Sequence, residues 1–334
     1  MTTVTAWEVT GSPGVLGRIR AASRPVPTPG DGEVVVGLTA CGVCRTDLHL
    51  ADLELAPKAP RTVPGHEGVG EVVAVGRGVS SLATGDRVGV PWLRRTCGRC
   101  RWCRTGRENL CRGSEYTGWD ADGCFAEYVS VPAAYVYRIP EGVTDVDAAP
   151  LLCAGIIGYR ALRRANLPPG GRLGIYGFGA SGHLTAQIAI GEGAEVHVLT
   201  RGARARALAT ELGAASVGGP YDRPPVPLDS AITFAPVGDV VPAALAALEQ
   251  GGTLAVAGIH LTAIPVLDYD AHLFRERTLT SVTANTRADG EELLRLATAL
   301  GVRPRVRTFG LGHADEALQS VAAGAVAGVA VLRM

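Results

Sequence analysis

Arg172-Leu173-Gly174-Ile175-Tyr176-Gly177-Phe178-Gly179-Ala180-Ser181-Gly182-His183 joins a short apolar run to a stretch of helix length, His183 to Ile190, through three spaced glycines. A chain with 44 glycines carries the pattern G-x-G-x-x-G by chance in places, so its flanks decide the reading. A strand before and a helix after turn the loop into a dinucleotide-binding fingerprint. Gly177 makes the tight turn, Gly179 lets the backbone approach a pyrophosphate, and Gly182 allows helix and strand to pack closely. The helix amino terminus then offers N–H donors and a favourable dipole to the phosphates. The next strand ends in Leu199-Thr200-Arg201, where an Asp or Glu would normally accept hydrogen bonds from the ribose of NAD. A hydroxyl and a guanidinium suit the 2′-phosphate of NADP instead. Glu195 stands at the wrong end of that strand to substitute.

Outward from this loop, brief β-branched runs alternate with helix-length stretches: Arg172 to Tyr176, Glu195 to Leu199, Leu228 to Phe234, Thr253 to Ala257 and Thr278 to Val282. Such alternation predicts a parallel sheet with helices on both faces. Upstream, the valine-rich runs Glu33 to Leu38, Val69 to Val75 and Arg87 to Val90 are cut by Gly, Pro and Asp, the rhythm of a compact β-rich unit. Pro220 to Pro227 reads as a loop. The tail from Gly290 begins helical and ends in Val329 to Leu332, a strand returning to the first unit.

The chain has 334 residues, 47% hydrophobic and 19% charged, which suits about two soluble domains. Its formal charge is zero, removing any net-charge argument for nucleic acid or an acidic membrane surface. Lys58 is the single lysine, and the arginines are scattered. Met1 to Thr10 lacks a basic start with an apolar run, and Val321 to Leu332 is well short of the ~20 residues that span a bilayer. A cytoplasmic protein is expected, and its eight cysteines point to metal ligands before disulfides.

Cys97, Cys100, Cys103 and Cys111 recur every few residues, the spacing of a closed, structural four-thiolate zinc site. Two disulfides are the alternative. An open metal site needs other donors. Cys41 to His49 holds two thiols, a hydroxyl, a carboxylate and an imidazole, Gly65-His66-Glu67 adds another imidazole and carboxylate, and Cys153 stands where the β-rich pattern gives way to the alternating one. Two Cys, one His and a water form the ligand set of an alcohol-oxidising zinc.

With C-G-V-C-R-T-D-L-H at Cys41 to His49, P-G-H-E at Pro64 to Glu67, the four-cysteine lobe, Cys153 and the Gly177 to Gly182 loop, the chain resembles the zinc-dependent medium-chain alcohol dehydrogenases. Within them it is similar to the bacterial branch related to cinnamyl alcohol dehydrogenases. The resemblance implies a GroES-like catalytic domain at residues 1–152 and 288–334 carrying both zinc sites, and a Rossmann domain, a doubly wound parallel sheet, at 153–287. It places catalytic zinc ligands on Cys44, His66 and Cys153, with Glu67 beside the metal, and makes Cys41 and Cys124 packed thiols. Thr46 and His49 match the proton relay from the alcohol through the cofactor ribose to solvent. Asp47 matches the carboxylate that orients the ligand histidine. Arg45 and Arg287 match or suggest contacts to the cofactor pyrophosphate.

Two zinc ions per chain are expected from the two clusters, NADP(H) is favoured over NAD(H) from Thr200 and Arg201, and a homo-oligomer, dimer or tetramer, follows from the resemblance. Trp92, Trp119 and Ile259 are the expected pocket residues, Ile259 also lying beside the cofactor. The aromatic pair suggests a bulky or flat primary alcohol or aldehyde, with no membrane or nucleic-acid partner. A polyol or sugar dehydrogenase would want polar groups near Trp92 and Trp119; a zinc-free quinone or enoyl reductase would not need the complete ligand set. A non-catalytic binding protein is the alternative of a different class.

Overall fold

Residues 3–10 and 19–334 are described in the computed structural model, so Met1 and Thr2 of the stretch read for a leader lie outside the described residues. Arg172–Tyr176 pairs in parallel with Glu195–Leu199 on one side and Leu228–Thr233 on the other. The sheet extends to Ser216–Gly218 at one edge and to Leu248–Val256 and Thr278–Ser281 at the other. In chain order this is 3-2-1-4-5-6, the doubly wound order in which ligands bind beyond the carboxyl ends of the strands. Helices Ala180–Gly191, Ala203–Glu211 and Val240–Ala246 make the connections. Ile175, Tyr176, Leu199, Ile232 and Leu254 are buried, as strands covered by helices require.

The fifth strand starts at Leu248, five residues before the β-branched run that announced it. Its first half, Glu249-Gln250-Gly251-Gly252, carries no strand signal, and its register against Leu228–Thr233 shifts between Leu228 and Ser230. Ser216–Gly218 joins the sheet although it is too short to read from sequence.

The β-rich unit is a seven-stranded sheet centred on Glu33–Val43, which pairs antiparallel with Gly68–Val75, Tyr128–Pro132 and the C-terminal strand Val329–Arg333. Arg87–Val90, Tyr137–Arg138 and Val306–Gly310 complete it. Thr3–Val9 and Ile19–Pro25 form a separate hairpin, and Trp7 and Val9 of this hairpin pack into the same core as Val34, Val36, Val72, Phe125 and Leu332. Returning Val331 opposite Gly42 buttresses the strand end that leads into Cys44.

The chain divides into two units: Met1–Cys153 with Ala284–Thr298 and Pro304–Met334, and Ala154–Thr283 with Ala299–Arg303. Cys153 thus belongs to the first unit rather than opening the second. Leu152 packs against Gly89, and Asp145, in the helix Asp145–Pro150 just before it, accepts from Thr39 Oγ1 and Arg87 Nε at 2.6 Å each. The return begins at Ala284 rather than 288, since Arg287 is bonded within the first unit to Glu108. Among the described residues, no helix is long and apolar enough to cross a membrane.

Candidate metal centre and cofactor loop

Cys44 caps the helix Arg45–Ala51, a segment that sequence reading left unassigned. The capping residue at its third position is Asp47, fully buried, whose Oδ2 accepts the Cys44 N–H at 2.9 Å. Its Oδ1 accepts the Gly65 N–H at 2.9 Å and lies 3.0 Å from His66 Nδ1. One carboxylate therefore ties together both segments that carry metal-ligand types and orients the imidazole, leaving Nε2 to point elsewhere. Gly65 must be glycine, with φ at +97° and no room for a Cβ, which would sit 2.5 Å from the Phe125 ring.

Cys153 arrives from a single wide helical turn, Leu151–Gly155, of the π type that recurs at functional sites. Donor atoms of Cys44, His66, Glu67 and Cys153 all lie within 4.8 Å of one another. His66 Nε2 and Glu67 Oε2 are buried there with no hydrogen-bond partner. Orphaned buried polar atoms beside two part-buried thiols are costly unless an ion satisfies them, and this soft N/S donor set fits zinc.

Electrostatics within the cluster point the same way. A hydrogen bond from Cys153, together with the imidazole of His66, holds the Cys44 thiol well below its usual range against the effect of burial. Cys153 is pushed well up by its bond to that thiolate and by burial. Burial alone would lower His66, but Asp47 and Cys44 more than offset it and raise it. Burial, then the charge on Cys44, pushes Glu67 well up. This is a pocket short of positive charge.

Thr46 is buried, its Oγ1 3.7 Å from Cys44 Sγ, and His49 follows three residues later on the same helical face with Nδ1 against Glu54. Arg45 points to solvent. Cys41 and Cys124 are fully buried, packed thiols in the β-rich core.

The second thiol cluster closes on itself. Cys97, Cys100, Cys103 and Cys111 also lie within 4.8 Å of one another, between strands Leu93–Arg95 and Glu115–Tyr116, which pair and shut the loop. Backbone N–H groups of Arg99 and Cys100, together with Cys111, hold Cys97 at about 6, while burial lifts Cys111 to about 11. None of the eight cysteines forms a disulfide.

In the second unit Gly177 has φ at +90° and donates its N–H to Leu199 O at 2.9 Å. A Cβ on Gly182 would lie 2.5 Å from Gly177 O, whereas one on Gly179 would meet nothing within 4 Å. The outer glycines serve the turn and the packing; Gly179 leaves open space over the helix amino terminus. Phe178 is buried beneath the loop, and Ala180 and Ser181 begin the helix. Thr200 is buried at the carboxyl end of its strand, followed by exposed Arg201.

With this geometry in hand, comparison with known proteins decides the family. Residues 30–141 match the alcohol dehydrogenase GroES-like domain. A probable alcohol dehydrogenase of Mycobacterium tuberculosis is 55% identical over 99% of this chain and 97% of its own length. The chain belongs to the zinc-dependent medium-chain alcohol dehydrogenases. A cinnamyl alcohol dehydrogenase from Sorghum bicolor superposes on this dehydrogenase with a TM-score of 0.90 at 28% identity, covering 99% of this chain and 98% of that one. A cobalt- and zinc-bound thermostable alcohol dehydrogenase from Pyrobaculum aerophilum gives 0.90 at 25% identity, covering 99% of each.

Arg287 of this dehydrogenase is engaged within its own unit. Its Nε and Nη2 grip both oxygens of Glu108 at 3.0 and 2.9 Å, and its guanidinium lies over the Tyr135 ring at 4.7 Å. A fork spent on a buried carboxylate has little left for phosphate. Ile259 lies in the second unit and is 60% exposed there. Trp92 and Trp119 do meet, with ring centroids 6.1 Å apart at 5°, and Tyr116, which sequence reading missed, stacks with both. The Trp92 ring stands edge-on to His66 at 4.9 Å.

The Arg287–Glu108 pair gives a test of its own. The Arg287 hydrogen bond, working against burial, lowers the Glu108 pKa, so the pair's contribution is present above the unfolded value, about 4.3, and lost as pH falls through the folded one. Arg287→Ala is expected to cost roughly 1–3 kcal/mol at neutral pH, below the value for a fully buried pair because Arg287 is 40% exposed. The gap should narrow below about pH 4 in denaturant titrations. The KM for cofactor should change less than about twofold; a tenfold rise would restore the pyrophosphate role.

Proposed function

We propose that this dehydrogenase interconverts primary, aromatic or bulky alcohols and their aldehydes with NADP(H), at a zinc held by Cys44, His66 and Cys153. The observation that carries the reading is the buried cluster of those three donors with Glu67, backed by Asp47 behind His66. When bound there, zinc supplies a Lewis acid that acidifies an alcohol hydroxyl or polarises an aldehyde carbonyl. Bound at the Gly177–Gly182 loop, a nicotinamide dinucleotide supplies the hydride acceptor or donor.

The protein's own part is orientation and proton movement. Thr46 can accept a proton from an alcohol at the metal side while donating its own onward, since a hydroxyl does both at once. His49, whose imidazole can accept a proton on one nitrogen and release one from the other, can pass that proton to solvent. Trp92 and Trp119 offer flat apolar surface to an aromatic ring. A second zinc in the Cys97–Cys111 lobe would hold its loop rigid without touching the reaction. Free cysteines throughout support a reducing, cytoplasmic setting, and exposed Val266, Tyr269 and Phe274 in the second unit support homo-oligomeric assembly.

Buried Thr200 and exposed Arg201 support the NADP preference. Measured with one aromatic aldehyde, kcat/KM should favour NADPH over NADH, and Arg201→Asp should shift the ratio toward NADH by about tenfold or more, the worth of one charge-assisted phosphate contact. A wild-type preference for NADH ends that part of the proposal.

A further inference from the structure

We propose that Lys58 forms an anion subsite at the outer end of the Trp92–Trp119 wall, so that the enzyme favours flat aromatic aldehydes and alcohols bearing a carboxylate opposite the reacting carbon. The inference rests on the reading of Cys44, His66 and Cys153 as the reaction centre, and extends it to the class of substrate.

Lys58 is the only lysine in a chain with 32 lysines and arginines together. Its Nζ stands 4.8 Å from the centre of the Trp119 ring. The segment carrying it is laced to that tryptophan twice. Trp119 Nε1 donates to Ala56 O at 2.8 Å, and the Lys58 N–H donates to Trp119 O at 3.4 Å. These two bonds fix the backbone that carries Lys58 beside Trp119, and the exposed ammonium rests on the indole through a cation–π contact.

The wall has a direction. Contacts run from His66 to Trp92, from Trp92 to nearly parallel Trp119, and from Trp119 to Lys58, with Tyr116 stacked against both tryptophans. A flat ring stacked on the tryptophans with its carbonyl carbon at the His66 end directs its far substituent toward Lys58.

No carboxylate of the described residues pairs with Lys58. Neighbouring acids are engaged elsewhere. Glu54 pairs with His49, Asp120 accepts the Tyr116 N–H at 2.9 Å, and Asp122 accepts the Val63 N–H at 2.9 Å and faces Arg24. An ammonium held over an indole with no counter-ion keeps its charge for an incoming anion, and its compact, rotatable N–H donors suit one carboxylate.

The test compares kcat/KM for 4-carboxybenzaldehyde and 4-methylbenzaldehyde, two rings of similar size, in wild type, Lys58→Met and Lys58→Arg. Wild type should prefer the carboxylate about three- to tenfold, a partly solvated charge contact, and the preference should shrink as salt is raised. Lys58→Met, which keeps an unbranched chain over Trp119, should remove the preference, and Lys58→Arg should keep most of it. A ratio indifferent to residue 58, with both aldehydes turned over, overturns the subsite alone. Turnover of neither aldehyde overturns it together with the proposed reaction.

Discussion

Thr46→Val is expected to lower kcat by about 10²–10⁴-fold while zinc content stays at the wild-type level. Valine matches threonine in size and branching, so a buried side chain on the first turn of Arg45–Ala51 is replaced with little change in packing. None of the proposed ligands is touched, and Asp47 keeps its bonds to Cys44, Gly65 and His66. What disappears is the one hydroxyl 3.7 Å from Cys44 Sγ that can receive a proton and release another in the same motion. Metal analysis beside steady-state kinetics separates the two effects. His49→Ala should cost less, because the His49 side chain is already 15% exposed and water can take over its exchange with solvent. An undiminished kcat in Thr46→Val would rule out the relay.

The strands of the second unit were legible because a parallel sheet covered by helices demands near-continuous apolar runs, and Ile175, Val198 and Ile232 supply them. Both metal clusters were legible for a different reason: thiols and imidazoles at short spacing have few other uses in a chain without disulfides. The missed features depend on contacts that spacing does not encode. Glu108 and Arg287 are 179 positions apart, and nothing local to either announces the other. Tyr116 joins the tryptophans only because Leu93–Arg95 pairs with Glu115–Tyr116 around the cysteine lobe. The helix at Arg45 had a readable signal, a side chain at Cys44 and an acid three residues on, in the manner of a capping box. It was hidden by the density of metal-ligand types in the same nine residues.

Cys153→Ala carries the central claim, because it separates the two proposed metals. Cys153 supplies one donor to the buried cluster and none to the lobe, where Cys97, Cys100, Cys103 and Cys111 close around one another. Removing the thiol leaves Cys44 and His66 as two of three proposed ligands, too few for a closed tetrahedral site with one open position. The lost Lewis acid corresponds to several kcal/mol of transition-state stabilisation, on the order of 10³-fold or more in turnover. Folding should survive, since a cysteine-to-alanine change at one wide helical turn leaves a small void costing only about 1 kcal/mol or so. The deciding measurement is zinc per chain together with NADPH-dependent reduction of an aromatic aldehyde, on wild type and on Cys153→Ala with an unchanged unfolding transition. The expected result is two zinc ions and activity in the wild type, and one zinc ion with activity lost in the variant. A variant that keeps wild-type turnover with a single zinc ion contradicts the assignment of the chemistry to Cys44, His66 and Cys153.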